Sequence, residues 1–349
     1  MLNRIKRWIG LDVCGDSDTL IQVSPNSAHV ERPIERSTTQ PLNQELNVAA
    51  VYFDWLIGTG AAASSRHFYL QKSILSALAR LCESTEDSAG LLPRVPAVLP
   101  QILASLRDDD MNGAVLAGYI SKDVVLVAEL LLEVNSAHYH QTDKITTLDH
   151  AILVLGQNGL RMLVARIAFR PLIHGLGSGH FSQREVPLIW EQSDKCAMAG
   201  SMLARQANLD PFPIFLAGLI HNVGLIVALR VADSFCDASV MQSGLPRSET
   251  FDQQFLAYAH CLTQRIAQEW DFPSVVIQAL NEQVPHTAPR LELLTAELSV
   301  SGLFRPLEQA TLVSKIAMLT HYGQLQADDV RLLPFLSDKT EILTVLGVN

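Results

Sequence analysis

The feature that most constrains the fold is a long succession of helical patterns that starts after Pro96 and continues almost to the end of the chain. Apolar residues recur at the three- and four-residue spacing of one helix face, and prolines, glycines and short polar stretches separate the segments. Two further helices are predicted before Pro96, over residues 45–57 and 66–83. The clearest later examples are residues 190–207, 215–232, 251–270, 274–282 and 312–322. The chain is therefore predicted to be an all-α, multi-helix bundle with an N-terminal helical extension.

Two segments need a closer reading. Residues 124–134 are strongly apolar and begin with β-branched residues, as a buried strand would. No second strand follows at hairpin spacing, and helical patterns flank the segment on both sides, so a buried helix is predicted. A long helix is predicted from Leu148 to about Pro171, with interruptions at Gly156 and Gly159 because glycine weakens a helix interior.

The amino-acid composition argues against several classes of protein. The 349 residues are 48% hydrophobic and 18% charged, which is typical of a folded, core-rich protein rather than a disordered one. The net charge of −10 argues against nucleic-acid binding, which needs a basic face. No apolar run is expected to span a membrane, and the basic first nine residues are expected to form a short capping helix. The cysteines are scattered and form no CxxC pair, which predicts reduced thiols in the cytoplasm; they are Cys14, Cys82, Cys196, Cys236 and Cys261.

Several motifs occur in the order in which one known family has them. They are Pro93–Leu99, Ile120–Asp123, Leu131–Tyr139, Ile145–Gly156, Trp190–Ser193, Phe215–Gly224 and Glu269–Pro273. Together they resemble the HDOD domain, a helical bundle related to the HD metal-dependent phosphohydrolases. The resemblance implies an HD-like bundle with an HDOD domain over residues 91–290. It leaves residues 1–90 as a polar arm and helical extension, and residues 291–349 as a C-terminal helical segment that packs on the domain.

The resemblance also locates the positions of a metal site. HD enzymes hold their metals with a helix His, an adjacent His-Asp pair and a further Asp. Gln192 stands at the position of the first His, and His221 is the His of the pair, but Asn222 replaces its Asp. Leu225 stands where catalytic relatives commonly carry Lys. Two residues lie in the region of the last ligand: His260 and Glu282.

Elementary chemistry predicts that this set does not hold a catalytic metal. Hydrolysis of a phosphoester with a divalent cation needs anionic oxygen ligands and a metal-bound water. Amide oxygens at Gln192 and Asn222 offer dipoles instead of full charges. No cofactor is expected, and no enzymatic activity. His221 lies in an apolar stretch, which favours a hydrogen-bonded core residue; a retained ligand pocket around Gln192, His221, Asn222 and His260 is the alternative.

Other motifs favour structural interpretations. Residues 58–63 fit a G-x-G-x-x-A dinucleotide fingerprint, but the flanking segments are helical, so a turn between helices is predicted. The glycines of residues 175–179 predict a flexible connection. His138 and His140 do not share a helix face and are not expected to bind metal. Three polar residues inside apolar helices are expected to join helices or line a pocket: Glu129, Asn135 and Arg161.

The sequence thus predicts a cytoplasmic regulatory protein that binds a protein partner or a small ligand without catalysis. Bacterial domains of this kind accompany two-component and cyclic-dinucleotide signalling proteins, so the resemblance implies a partner in such a pathway. Two alternatives stay open. One is an HD-type phosphohydrolase with an atypical site around His221 and His260, and the other is a non-catalytic nucleotide-binding module.

Overall fold

The structure is a computed structural model, and it describes residues 48–58, 65–83, 100, 117–118, 120–121, 124–135, 144–174, 179–236, 240, 244–283, 304–325 and 340–347. Every regular element within these ranges is a helix, which confirms the all-α prediction. In chain order the helices are α1 (Val48–Ile57), α2 (Ser65–Glu83), α3 (Val124–Val134), α4 (Leu148–His174), α5 (His180–Gln206), α6 (Pro211–Ile220), α7 (Val223–Phe235), α8 (Glu249–Glu269), α9 (Ser274–Glu282), α10 (Phe304–His321) and α11 (Thr340–Val345).

Several predictions lie outside the described residues. These are the capping helix at the start of the chain, the polar arm that precedes α1 and the histidine pair at His138 and His140. Most of the two glycine-rich segments, 59–63 and 175–178, also lie outside them. The division of the chain at residues 90 and 290 stays a prediction.

Helix α5 is the central element of the bundle. It packs against α6, α7 and α10, and α1 contacts both α5 and α10. The sequence predicted a start at Trp190, but α5 begins at His180 and continues through Pro187. The cause is a long-range cap, because Asp233 of α7 accepts hydrogen bonds from the backbone N–H groups of Phe181 (2.8 Å) and Ser182 (3.0 Å). Such a cap stabilises the first helical turn and does not appear in local sequence patterns.

The apolar stretch predicted as one helix over 215–232 is two helices. A turn at His221 and Asn222 separates α6 from α7, and Asn222 lies in the bridge region of backbone space (φ −102°, ψ 4°). The prediction was wrong because the apolar pattern continues across the turn. Gly218 precedes the turn and Gly224 follows it, and both approach the backbone of a neighbouring helix closely.

Two other predictions are corrected in part. Residues 124–134 form a helix, α3, but it is not buried throughout, since the side chains of Val125 and Leu132 are largely exposed. The predicted interruption of α4 occurs at Gly156, which has φ 66° and ψ 176°. Gly159 is helical, and α4 continues to His174. A positive φ with this ψ is accessible to glycine alone, so one glycine is sufficient for the kink.

The isolated polar residues mostly behave as predicted. Asn135 joins α3 to the segment before α4, because its Nδ2 donates to the carbonyl oxygen of Ile145 (2.7 Å) and its Oδ1 accepts from the N–H of Ile145 (2.8 Å). Arg161 is buried within α4. Glu129 is exposed and has no hydrogen bond or ion pair with another described residue, contrary to the prediction of a helix-joining or pocket residue.

A buried arginine attaches α1 to the rest of the bundle. The guanidinium of Arg247 pairs with Asp54 of α1 (2.8 Å) and with Asp252 of α8 (2.7 Å). It also donates to the carbonyl oxygen of Gly58 and lies 4.4 Å from the ring centroid of Phe53. A charge buried with several partners is favourable only as a set, so α1 is integral to the fold.

Two helical segments are long and apolar enough to cross a membrane, contrary to the expectation from apolar runs. They are Leu148–Arg170 and Pro211–Phe235. The second is 94% buried within the protein, as expected for the central helices of a bundle, although its composition alone would also suit a lipid environment.

Candidate functional site

The site predicted from the sequence starts at Gln192, in the middle of α5. Its side chain is fully buried, and a buried amide needs hydrogen-bond partners. Its Nε2 donates to the hydroxyl oxygen of Ser314 on α10, at 2.7 Å. Gln192 therefore joins α5 to a helix that lies beyond the segment in which the motifs were recognised.

Asn222 completes this hydrogen-bond chain from the turn between α6 and α7. Its Nδ2 donates to Oε1 of Gln192 and also to the hydroxyl of Ser193, at 3.2 Å. The structure thus brings together the two amides that replace charged metal ligands in the HD pattern. Their polar atoms bond to each other and to serine hydroxyls.

The imidazole of His221 is buried and is hydrogen-bonded through one of its two ring nitrogens. It is 8% exposed, and its Nδ1 bonds to the carbonyl oxygen of Gly218 in the last turn of α6, at 2.7 Å. Its Nε2 is buried and has no hydrogen-bond partner among the described residues. Burial lowers the pKa of His221 to about 4, so the ring is neutral at physiological pH. His221 is thus a core residue that is hydrogen-bonded through Nδ1, within its own turn, and not through Nε2 among the described residues.

His260 has a hydrogen-bond partner outside this group. It is on α8, and its ring nitrogen bonds to the side chain of Gln264 one turn further along the same helix, at 2.8 Å. Burial lowers the pKa of His260. The α8 residue that contacts the turn is Thr263, whose hydroxyl donates to the carbonyl oxygen of His221 (3.2 Å) and accepts from the N–H of Gly224 (3.0 Å).

Sequence patterns missed the contribution of α10 and α1 to the site. Besides Ser314, α10 provides Lys315, which is buried and lies next to the site. Helix α1 provides Tyr52, whose ring centroid is 5.7 Å from Nζ of Lys315 and whose hydroxyl is buried without a hydrogen-bond partner among the described residues. The available signal was a Ser-Lys pair inside an apolar helix, which is unusual for a core position.

Cys196 of α5 extends the polar side of the site. Its sulfur lies 3.6 Å from the hydroxyl of Thr311, which also accepts from the side-chain amide of Gln283 at 3.2 Å. Burial raises the pKa of Cys196 to about 12, so this cysteine is a protonated thiol rather than a thiolate nucleophile. The group holds structural hydrogen bonds and no activated nucleophile.

This donor set does not fit a divalent metal. One neutral imidazole and two mutually bonded amides provide no anionic ligand, and the nearby Lys315 carries the same sign of charge as a metal ion. Within the described ranges, no group of three or more His, Cys, Asp or Glu side chains has an arrangement that could hold one. The arrangement is chemically suited to holding helices together.

Two surface cavities lie away from these residues. One, of about 510 Å³, runs between α2 and α8 and is lined by Phe68, Leu75 and Tyr258 among others. The other, of about 290 Å³, lies between α3, α4 and α5. There Arg166 pairs with Glu133 (2.7 Å) and Asp194 (2.6 Å).

The all-helical fold is that of the class of domain that the sequence motifs resemble. Residues 92–285 match the HDOD domain family, which is more than half of the chain, and the protein belongs to that family. A curated relative from Treponema pallidum, an uncharacterized protein, is 23% identical over 236 residues, which cover 64% of this chain and 44% of the relative. The chain therefore spans less than half the length of that protein.

Solved structures show the same fold. An HDOD domain protein of unknown function from Geobacter sulfurreducens has a TM-score of 0.52 and 16% identity, and the match covers 79% of this chain and 98% of that one. A candidate signal transduction protein from Marinobacter aquaeolei VT8 has a TM-score of 0.51 and 15% identity, covering 86% and 68%. A candidate phosphohydrolase from Shewanella amazonensis SB2B has a TM-score of 0.50 and 19% identity, covering 79% and 88%. At these identities the likeness shows the fold alone.

Proposed function

We propose that this protein is a non-catalytic regulatory HDOD module that acts in the cytoplasm by binding a protein partner or a small ligand. The observation that carries the proposal is the hydrogen-bond chain from Asn222 through Gln192 to Ser314. At these positions a catalytic relative would present charged ligands to a metal. Here the two amides bond to one another and to serine hydroxyls, so they stabilise the packing of α5 against α10 and the turn.

The proposed regulatory role also has support from a structural neighbour. One structural neighbour is named as a candidate signal transduction protein, which suits a regulatory role in this chain as well. The free thiols of Cys82, Cys196, Cys236 and Cys261 suit a reducing compartment.

An atypical phosphohydrolase is the alternative that the name of another neighbour suggests. It would require His221 and His260 to act as a pair. However, His260 bonds to Gln264, and the residue of α8 that contacts the turn is Thr263. Two imidazoles without a carboxylate would also be too few ligands for an open catalytic site.

A nucleotide-binding module is the other alternative, and the 290 Å³ cavity is where its phosphates would be expected, because two arginines line it. The same cavity is lined by Glu133, Glu191 and Asp194. Arg166 is already paired with two of these carboxylates. Negative charge therefore predominates in the lining, which disfavours a polyphosphate.

A protein partner is supported by exposed apolar side chains on α3 and α4, two helices that pack together. Leu132 of α3 is 77% exposed and Leu153 of α4 is 83% exposed. Large apolar side chains on neighbouring helices are typical of a contact surface when they occur together. We propose this surface, with Val125 and Val154 beside it, as the site of partner binding.

The central experiment measures metal content and phosphodiesterase activity of the purified protein. We expect less than about one tenth of an equivalent of iron, manganese or zinc, and no hydrolysis of bis(p-nitrophenyl) phosphate with added Mn²⁺. The His221→Ala variant is the control, since activity that survives it would come from a contaminant. Stoichiometric metal together with activity that His221→Ala abolishes would contradict the proposal and favour the phosphohydrolase alternative.

The partner surface has its own test. A Leu132→Ser and Leu153→Ser double variant should lose the proteins that the parent recovers from its native cytoplasm, measured by quantitative mass spectrometry. Phe68→Ser is a matched control, because Phe68 is also exposed (61%) but lies on α2. Equal recovery by parent and double variant would show that the partner binds elsewhere.

A further inference from the structure

Lys315 is an unusual residue for the interior of a helical bundle. It lies on α10 and is only 6% exposed. Its Nζ is 5.7 Å from the ring centroid of Tyr52, and it forms no salt bridge with a carboxylate of the described residues. The carboxylate that acts on the pKa of Lys315 is that of Glu308, two turns earlier on α10. A buried ammonium without a close counter-ion is unfavourable, because burial removes its hydration.

The position of Lys315 relates it to the former metal ligands. The neighbouring residue on α10, Ser314, accepts the hydrogen bond from Gln192, which in turn accepts from Asn222. The positive charge of Lys315 is also close enough to His221 to lower the pKa of its imidazole further than burial alone. Lys315 therefore lies beside the three positions at which an HD enzyme would have metal ligands.

Lys315 has two neighbours with an unpaired buried polar atom, since it acts on the pKa of His221 and lies over the ring of Tyr52. The buried Nε2 of His221 and the buried hydroxyl of Tyr52 both lack a hydrogen-bond partner among the described residues. In a metal site an imidazole nitrogen of this kind would be a ligand. Among the described residues, the cation that acts on the pKa of this imidazole is the ammonium of Lys315 on α10.

We propose that Lys315 is a built-in cation that takes the place of the divalent metal and excludes metal ions from the site. This inference rests on the proposed non-catalytic function and adds its physical cause. Loss of the charged ligands weakens metal binding, and a fixed positive charge on α10 then opposes it. The site is therefore closed to metals by two independent means.

The inference predicts that restoring the ligands alone does not restore metal binding. A variant with Gln192→His and Asn222→Asp would present two imidazoles and a carboxylate, the smallest set for an open metal site. The ammonium of Lys315 would still repel a divalent ion. Only a triple variant that also contains Lys315→Met should bind one, because methionine keeps the apolar stem without the charge.

The experiment compares parent, double variant and triple variant by titration calorimetry with Mn²⁺ alone, with elemental analysis as a second readout. We expect the double variant to bind Mn²⁺ no better than the parent. The triple variant should bind at least about 100-fold more tightly, the size expected when repulsion between a single and a double charge is removed from a partly screened site. In the double-variant background, Lys315→Arg keeps the charge and should bind no metal.

Lys195→Met is a matched control in the double variant. Lys195 is on the same helix as Gln192, but it interacts with Glu191 and with the carbonyl oxygen of Leu346, so its removal should leave affinity unchanged. Equal affinity of the double and triple variants, strong or weak, would overturn the inference. If the triple variant fails to fold, Lys315→Gln replaces Lys315→Met. If both fail to fold, the bundle needs the ammonium, and this result would also overturn the inference. Phosphodiesterase activity in the parent would contradict the proposed function by a separate measurement.

Discussion

The buried charge of Lys315 should have a measurable effect on stability. Burial lowers the pKa of Lys315 from 10.5 to about 8. Between those two values the unfolded chain holds the proton and the folded protein does not, so the free energy of unfolding rises with pH across this window. Below pH 8 both states carry the proton, and the folded state bears the full cost of the buried ammonium.

The size of this cost follows from the pKa difference. The interval from 10.5 to about 8, at about 1.4 kcal/mol for each pH unit, corresponds to about 3 kcal/mol. We therefore expect Lys315→Met to be more stable than the parent by up to about 3 kcal/mol at pH 7, with the difference falling towards zero near pH 10.5. The tyrosines and cysteines that also titrate in this range are common to both proteins and cancel in the difference.

The assay is urea unfolding followed by circular dichroism, for parent and variant, at half-unit intervals between pH 7 and about pH 10.5. The dependence of the unfolding free energy on urea concentration should be the same for both proteins, since the substitution changes little of the surface exposed on unfolding. A variant that is less stable than the parent at pH 7, or a difference that does not change with pH, would refute the reasoning. Either result would mean that the ammonium is stabilised in the folded protein.

Three further predictions concern other buried polar groups. Asp233→Ala removes the acceptor that caps α5 and should lower the free energy of unfolding by about 2 kcal/mol. The control is Glu129→Ala at an exposed helix position, which should change the free energy of unfolding little. Thermal melting of both variants checks this. Arg247→Ala leaves two carboxylates without their partner and should cost about 3 kcal/mol, and limited proteolysis should then cleave near α1 before the rest of the bundle. Because the pKa of His221 is about 4, the parent should lose up to about 3 kcal/mol as the pH falls from 6.5 to 4, and His221→Gln should lose less in urea titrations over that range.

The sequence predicted the helical class because helix periodicity is a local property. The bounds of α2, α8 and α9 agree with their apolar patterns to within a few residues, since each of these helices has one buried face. Where a helix is buried on all sides, apolar residues occur at nearly every position, and their spacing no longer marks where the helix ends. The turn at Asn222 was missed for this reason.

The start of α5 was missed for a different reason. Its cap comes from Asp233, which follows it by some fifty residues and lies on another helix. Local rules look for a capping residue just before the helix, and here that residue is Gly179, which has no side chain to accept a hydrogen bond. A prediction from one sequence cannot anticipate such a partner until the packing of α5 against α7 is known.

The site was predictable to the extent that it follows a family pattern. Gln192, His221 and Asn222 were placed by the order of motifs, and the structure brings the two amides into contact. Lys315 was not predicted, because it lies outside the segment with the motifs and becomes a neighbour of the site only through the packing of α10 on α5. His260 was chosen by its position along the chain, whereas on α8 it is Thr263 that contacts the turn.

The two glycines that flank the turn have an evolutionary consequence. A methyl group on Gly218 would lie 2.6 Å from the Cα of Ala197, and one on Gly224 would lie 1.9 Å from the carbonyl oxygen of Ala259. Substitution at either position would force α5 or α8 away, whereas the amides at 192 and 222 contact each other only through flexible side chains. Substitution of either glycine is therefore expected to displace a whole helix, whereas substitution of an amide changes hydrogen bonds between side chains. In a lineage of such proteins, positions 218 and 224 would accept fewer substitutions than positions 192 and 222.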